Sequence, residues 1–268
     1  MLFYKFTKKS LSQNFLVDRN IINKIIDIGD IQKDKVVLEI GPGYGSLIKE
    51  ISNKNPKKII AIEKDKKLFL YLKDYFKNNE NIEIINDDIL NFLKIKRLFN
   101  DVLVFGNLPY NISTKILTSL ILLKKWPPWY NNLIFMFQKE VADRIVAKNS
   151  TKEYGRLSII SNWRFEIKKH FDVSRNCFKP KPKVNSSVLS FKPVKNYKYY
   201  LKKPETLEHI TRVLFSGRRK MINKNFNKLF KGNTSIAKKL NLDLSLRPQN
   251  LSNEMYYKIA VFYEKLFY

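Results

Sequence analysis

"VVLEIGPGYGSLIKEISNK" (36–54) decides the architecture. Its first five residues are apolar or β-branched apart from Glu39, which predicts a buried strand. Gly41, Gly43 and Gly45 follow, permitting a tight turn and close backbone approach. "SLIKEISNK" then repeats apolar residues at three- and four-residue spacing, the helical period. A helix that starts after a glycine loop offers unpaired amides to an anion. The spacing is not the full dinucleotide fingerprint, so a plain strand-to-helix turn remains open at this point.

The same alternation continues outward. "KKIIAIE" (57–63), "NIEIIND" (81–87), "DVLVFG" (101–106) and "NLIFMFQ" (132–138) are further strand-like runs, with "KKLFLYLKDYFKNN" (66–79) and "ISTKILTSLILLKK" (112–125) as helices between them. Five strands alternating with helices predict a parallel sheet covered on both faces, with ligands beyond the C-terminal strand ends. After Gly155 two more strands are expected, "NWRFEIKKHFDV" (162–173) and "VNSSVLSFKPV" (184–194), around the loop "CFKPKPK". A linker, "KPVKNYKYYLKKP" (192–204), leads to a helical tail whose segment 207–230 carries Arg218, Arg219 and Lys220 on a helix face. The expected domains are therefore 1–195 and 204–268.

The chain has 268 residues, enough for a substantial core, and a formal net charge of +27. Such a field favours polyanions, nucleic acid first. Arg164 to Lys203 holds twelve basic side chains against Glu166 and Asp172, a local excess of +10. One cysteine, Cys177, rules out an internal disulfide framework and suits a reducing compartment. With His170 and His209 as the only histidines, both expected at the surface, no zinc site of ordinary ligand count can be assembled, and no metal is expected. The apolar run around Ile116 to Leu123 is far too short to span a bilayer, and the first ten residues lack a continuous signal core. They are basic, as an organellar presequence would be, which leaves that compartment open.

Three strand ends carry polar chemistry. Glu63, twenty positions past Gly43, stands where an acid binds ribose hydroxyls. Asp87 or Asp88 can accept from an adenine amine. Gly106-Asn107-Leu108-Pro109-Tyr110 leaves the fourth strand where a substrate should sit. An exocyclic adenine amine is a poor nucleophile because its lone pair is delocalised. The Asn107 carbonyl and a backbone carbonyl near Leu108 can hold both its hydrogens, weakening that conjugation. Pro109 fixes φ and stiffens the turn. Tyr110 can stack on the base, worth roughly 1–3 kcal/mol.

These segments resemble the small-subunit ribosomal RNA adenine dimethyltransferases. "SQNFL" (12–16), "EIGPGYG", "VFGNLPYNIST", "FMFQKEVADRIVA", "YGRLS", "FKPKPKVNSSV", "FSGRRKMI" and "RPQNLS" occur in that family's order along nearly the whole chain. The resemblance implies a Rossmann-like, class I S-adenosylmethionine-dependent methyltransferase sheet with a small all-helical C-terminal domain that binds RNA. It implies contacts to S-adenosylmethionine from Asn14, Leu16, Gly41, Gly43, Glu63, Asp88 and Asn107. Asn107 to Tyr110 would hold the target, with Phe178 covering the other face of a flipped adenine; a core aromatic is the alternative for Phe178. The implied partners are small-subunit rRNA and the assembling subunit, met by a cytoplasmic monomer without membrane contact. Ser12 departs from the family's usual Gly, the segment before Gln13 is short, and "WPPWY" (126–130) reads as a surface turn capped by packed tryptophans.

Two rivals follow. A large-subunit rRNA adenine methyltransferase shares the fold and an Asn-x-Pro-aromatic motif. An assembly factor acting mainly by binding would use the basic patch and Arg218 to Lys220.

Overall fold

The computed structural model describes residues 14–95, 100–233 and 235–268; Ser12 and the basic segment around it lie outside these. The elements run β1 (Phe15–Leu16), α1 (Arg19–Gly29), β2 (Val36–Ile40), α2 (Ser46–Ser52), β3 (Lys58–Glu63), α3 (Lys66–Tyr75), β4 (Ile82–Asn86), α4 (Ile89–Ile95), β5 (Val102–Asn107), α5 (Ser113–Ile121), β6 (Tyr130–Gln138) and α6 (Lys139–Val146). They continue with α7 (Arg156–Arg164), β7 (Phe165–Val173), β8 (Phe178–Lys179), β9 (Ser186–Pro193), α8 (Glu205–Leu214), α9 (Asn223–Leu229), α10 (Ser235–Lys239) and α11 (Asn253–Phe267).

Seven strands form one sheet in the order β4-β3-β2-β5-β6-β9-β7. The five expected strands are parallel, and β9 runs antiparallel to β6. The order reverses about β2, whose neighbours are β3 and β5, so the crevice for a ligand opens beyond the ends of these strands. β2 and β3 are buried almost throughout, as expected of parallel strands covered on both faces. Side-chain caps start the flanking helices: Asp18 accepts from the Ile21 amide at 3.1 Å, and Asp65 from Lys67 and Leu68 at 2.8 and 3.4 Å. The core of this unit joins Val37, Ile48, Ala61, Phe105 and Ile134 to Leu16 and Phe178.

The chain divides into two compact units. The first holds the described residues up to Leu120 with Pro128–Ala142 and Ile167–Pro193, and the second holds Ile121–Pro127, Asp143–Glu166 and Val194–Tyr268. A linear division at 195–204 does not describe this, because 121–127 and 143–166 pack with the tail. The stretch 192–204 also differs from a free linker. Trp163 donates to the Tyr199 carbonyl at 2.8 Å, and the buried Glu264 carboxylate accepts from the Lys202 and Lys203 amides and from Thr206.

Three further expectations are corrected. Asn162 to Arg164 end helix α7 rather than opening a strand. The tail segment is not one helix: α8 stops at Leu214, and Arg218, Arg219 and Lys220 sit exposed on the following turn, where Arg218 donates to the Lys152 and Tyr154 carbonyls. His170 and His209 are half-buried, His170 at 2.8 Å from the Ser190 hydroxyl. Trp126 does pack, edge-on to Phe165 and against the fully buried Arg164 guanidinium.

Candidate active site

One cavity, wholly within the first unit, gathers the ends of the central strands. Its walls come from Asn14, Phe15 and Leu16, from the Glu39–Leu47 region, and from Glu63 and Asn107 to Tyr110. Gly41, Gly43 and Gly45 have φ of +66°, +59° and +77°, so the loop needs the left-handed conformation three times in five residues. A Cβ on Gly43 would lie 2.6 Å from the Phe15 ring, whereas the space in front of Gly41 is open to 4 Å. The Phe15 strap thus lies on the loop at one glycine and leaves a cradle at another.

Glu63 is fixed by its own neighbours: one carboxylate oxygen accepts from the Gly43 amide at 3.2 Å, the other from Asp65 at 2.8 Å. Burial raises its pKa, and these amides oppose the rise. Glu39 is 1% exposed, and burial together with the charge of Glu63 pushes its pKa up to about 8 against the Ile48 amide. Its Oε2 is buried with no hydrogen-bond partner. An unpartnered carboxyl oxygen, a carboxylate fixed by two amides and an open glycine cradle in one wall fit an adenosyl cofactor rich in polar groups. Glu39 and Phe15 were not singled out by sequence, although both stand inside quoted motifs.

Asn107 is the last residue of β5, paired with Met136, so it is held on the sheet rather than on a loop. Its Nδ2 donates to the Asn14 carbonyl at 3.0 Å, which ties the strap to the turn and leaves the Oδ1 end to accept. Leu108 is buried, and a Cβ on Gly106 would stand 2.6 Å from its Cδ2, so the glycine makes room for the anchor that sets the bend. The Pro109 carbonyl accepts from Ile112 and Ser113 at 3.1 and 3.0 Å, carrying the turn directly into α5. Tyr110 is half-buried with its phenol 2.9 Å from the Ser186 hydroxyl.

Two expected site residues stand apart from these walls. Asp88 follows β4, its Oδ2 at 2.8 Å from the Lys64 ammonium and its Oδ1 accepting from Leu90. Burial pulls its carboxyl up, but the Lys64 bond, the Leu90 amide and the charges of Lys64 and Lys115 hold it below the usual range. Phe178 is 2% exposed in the core, its backbone paired with Leu16. This burial matches the core-aromatic alternative stated for Phe178.

The ribosomal RNA adenine dimethylase family model matches residues 5–265. Ribosomal RNA small subunit methyltransferase A of Pelagibacter ubique (strain HTCC1062) is 49% identical over 259 residues, covering 97% of each chain. A dimethyladenosine transferase from Plasmodium falciparum superposes with a TM-score of 0.76 at 26% identity, covering 94% of this chain and 98% of that one. The 23S rRNA methyltransferase ErmE superposes at 0.68 with 23% identity over 92% of this chain and 98% of that chain, a likeness of fold. The Rossmann-like class I methyltransferase sheet with a helical C-terminal region is therefore found as expected. With that family model matching nearly the whole chain and a relative 49% identical over 97% of it, the chain belongs to the ribosomal RNA adenine dimethylase family.

Proposed function

We propose that the protein moves methyl groups from S-adenosylmethionine to the exocyclic amines of two adjacent adenosines near the 3′ end of small-subunit rRNA. The observation that carries this reading is the sharing of one cavity by the Gly41–Gly45 loop, Glu63 and the Asn107–Tyr110 turn. The cofactor supplies a methyl group on a sulfonium, already a good electrophile. Glu63 would take the ribose hydroxyls and the loop the small carboxylate. Asp88 would accept from the cofactor's adenine amine.

At the target, the Asn107 Oδ1 and a backbone carbonyl near Leu108 accept the two amino hydrogens and turn the nitrogen's lone pair toward the methyl. Tyr110 supplies a stacking face, and the base must leave its own stack to reach the cavity. Catalysis is then mostly positioning. Arg219, Lys220 and the exposed lysines between Lys168 and Lys203 would meet phosphates, the buried Arg164 taking no part, with Arg218 free to do so only through the donors its internal bonds do not use. The setting we infer is the cytoplasm, with a monomer acting on the assembling small subunit and contributing to its biogenesis.

Asn107→Ala is expected to abolish methyl transfer, read as dimethyladenosine by mass spectrometry of small-subunit rRNA, while rRNA binding stays near normal. Near-normal turnover in that variant would refute the role of Asn107. Methylation confined to large-subunit RNA would refute the substrate.

A further inference from the structure

The Tyr110 ring has a second point of attachment far away in sequence. At its near end the backbone is held locally, the Ser113 hydroxyl donating to the Tyr110 carbonyl at 3.3 Å. At its far end the phenol meets Ser186, 76 positions later. Ser186 is the first residue of β9, pairs with Gln138 at the end of β6, and is fully buried. We propose that Ser186 is a positioning residue for the transfer, holding the Tyr110 phenol so that the ring presents one fixed face to the target base.

The surroundings suit a rigid anchor. Ser187 donates to Asp172 at 2.7 Å, and the other Asp172 oxygen is 2.7 Å from the Lys139 ammonium. The Lys139 amide donates to the Asn185 carbonyl at 2.9 Å, and the Asn185 side chain accepts from the Arg175 amide at 3.0 Å. The residues on either side of Ser186 are thus tied to the start of α6, to β7 and to the turn before β8. A buried hydroxyl without a partner is costly, so serine and phenol each complete the other. Without the bond, the ring retains rotational freedom that the base must quench on arrival. The cost of quenching it falls on assembling the reactive geometry.

This inference rests on the reading of Asn107 to Tyr110 as the target-base site. Its test measures methyl transfer to small-subunit rRNA at saturating cofactor, S-adenosylmethionine affinity by calorimetry, and thermal unfolding. Ser186→Ala is expected to lower kcat about tenfold with cofactor affinity unchanged. Tyr110→Phe should fall equally, and the double variant should be no worse than either single one, because both remove the same bond. Full kcat in Ser186→Ala, measured below its melting temperature, overturns the inference, as does a double variant whose loss is the product of the two. Should Ser186→Ala fail to fold, full activity in Tyr110→Phe overturns it equally. Wild-type protein that binds both substrates yet leaves adenine unmethylated would overturn the target-base reading, and this one with it.

Discussion

Glu39 and Glu63 share a wall, and neither can be described by its charge at neutral pH alone. Glu39 keeps its proton in the folded state up to about pH 8, while the unfolded chain releases it near 4.5. The folded form therefore binds more protons between those values, and stability falls as pH rises through that window. Thermal melts from pH 5 to 8.5 should show this decline, and Glu39→Gln should flatten it. Glu63, also raised, must be ionised to accept from Gly43, Asp65 and a ribose together. Glu63→Gln is expected to weaken S-adenosylmethionine binding about tenfold or more, since a charged acceptor is lost. Calorimetry at falling pH should show wild-type affinity dropping in the same direction, as the carboxylate takes up its proton. At Gly43, an alanine would sit at φ +59° against Phe15, costing about 1–2 kcal/mol by denaturant titration. Nine of the expected site residues, Asn14, Leu16, Gly41, Gly43, Glu63 and Asn107 to Tyr110, do meet in one cavity. Glu63 and Asn107 to Tyr110 were legible as polar residues at strand ends and Gly41 and Gly43 as a glycine loop after a strand, whereas Asn14 and Leu16 were named only by the resemblance. Ser186 was not legible, although its motif was quoted, because a bond to a residue 76 positions away leaves no local spacing to read.

Elements with one clear period were legible, and elements that change period without a loop were not. Helix α7 passes straight into β7 at Phe165, so Asn162-Trp163-Arg164 carries the aromatic look of the strand it precedes. What holds that junction is Arg164, fully buried, with its guanidinium 3.9 Å from the centre of the Trp163 ring and 4.7 Å from that of Trp126. It also donates to the Ile121 and Leu123 carbonyls at 3.0 and 2.9 Å and to the Tyr197 phenol at 2.9 Å. Arg164→Met keeps much of the volume but strips those carbonyls of donors, and should cost about 3 kcal/mol. Urea unfolding followed by tryptophan fluorescence would report it, since Trp126 and Trp163 flank the site. "YGRLS" and "RPQNLS" likewise proved structural: the Tyr154 phenol donates to the Leu251 carbonyl and to Asn253, and Tyr256 to the Pro248 carbonyl. A motif in sequence does not say whether its polar atoms face a substrate or the interior.

For the whole molecule, charge and sheet direction were readable, while strand order and the division into units depended on contacts between distant segments. A net charge of +27 predicts that rRNA affinity falls steeply with salt, roughly a hundredfold or more between about 50 and 200 mM. Filter binding over that range checks it, and a shallow slope would mean that few of the lysines meet phosphate. The parallel strands deliver their endings to the working edge of the sheet, but β9, running against β6, delivers its beginning there. The segment that feeds it, 174–185, carries Phe178 into the core and pairs β8 with β1 before it reaches that edge. A change there is therefore felt in two places, at the start of β9 and, through β1, at the Phe15 ring lying on Gly43.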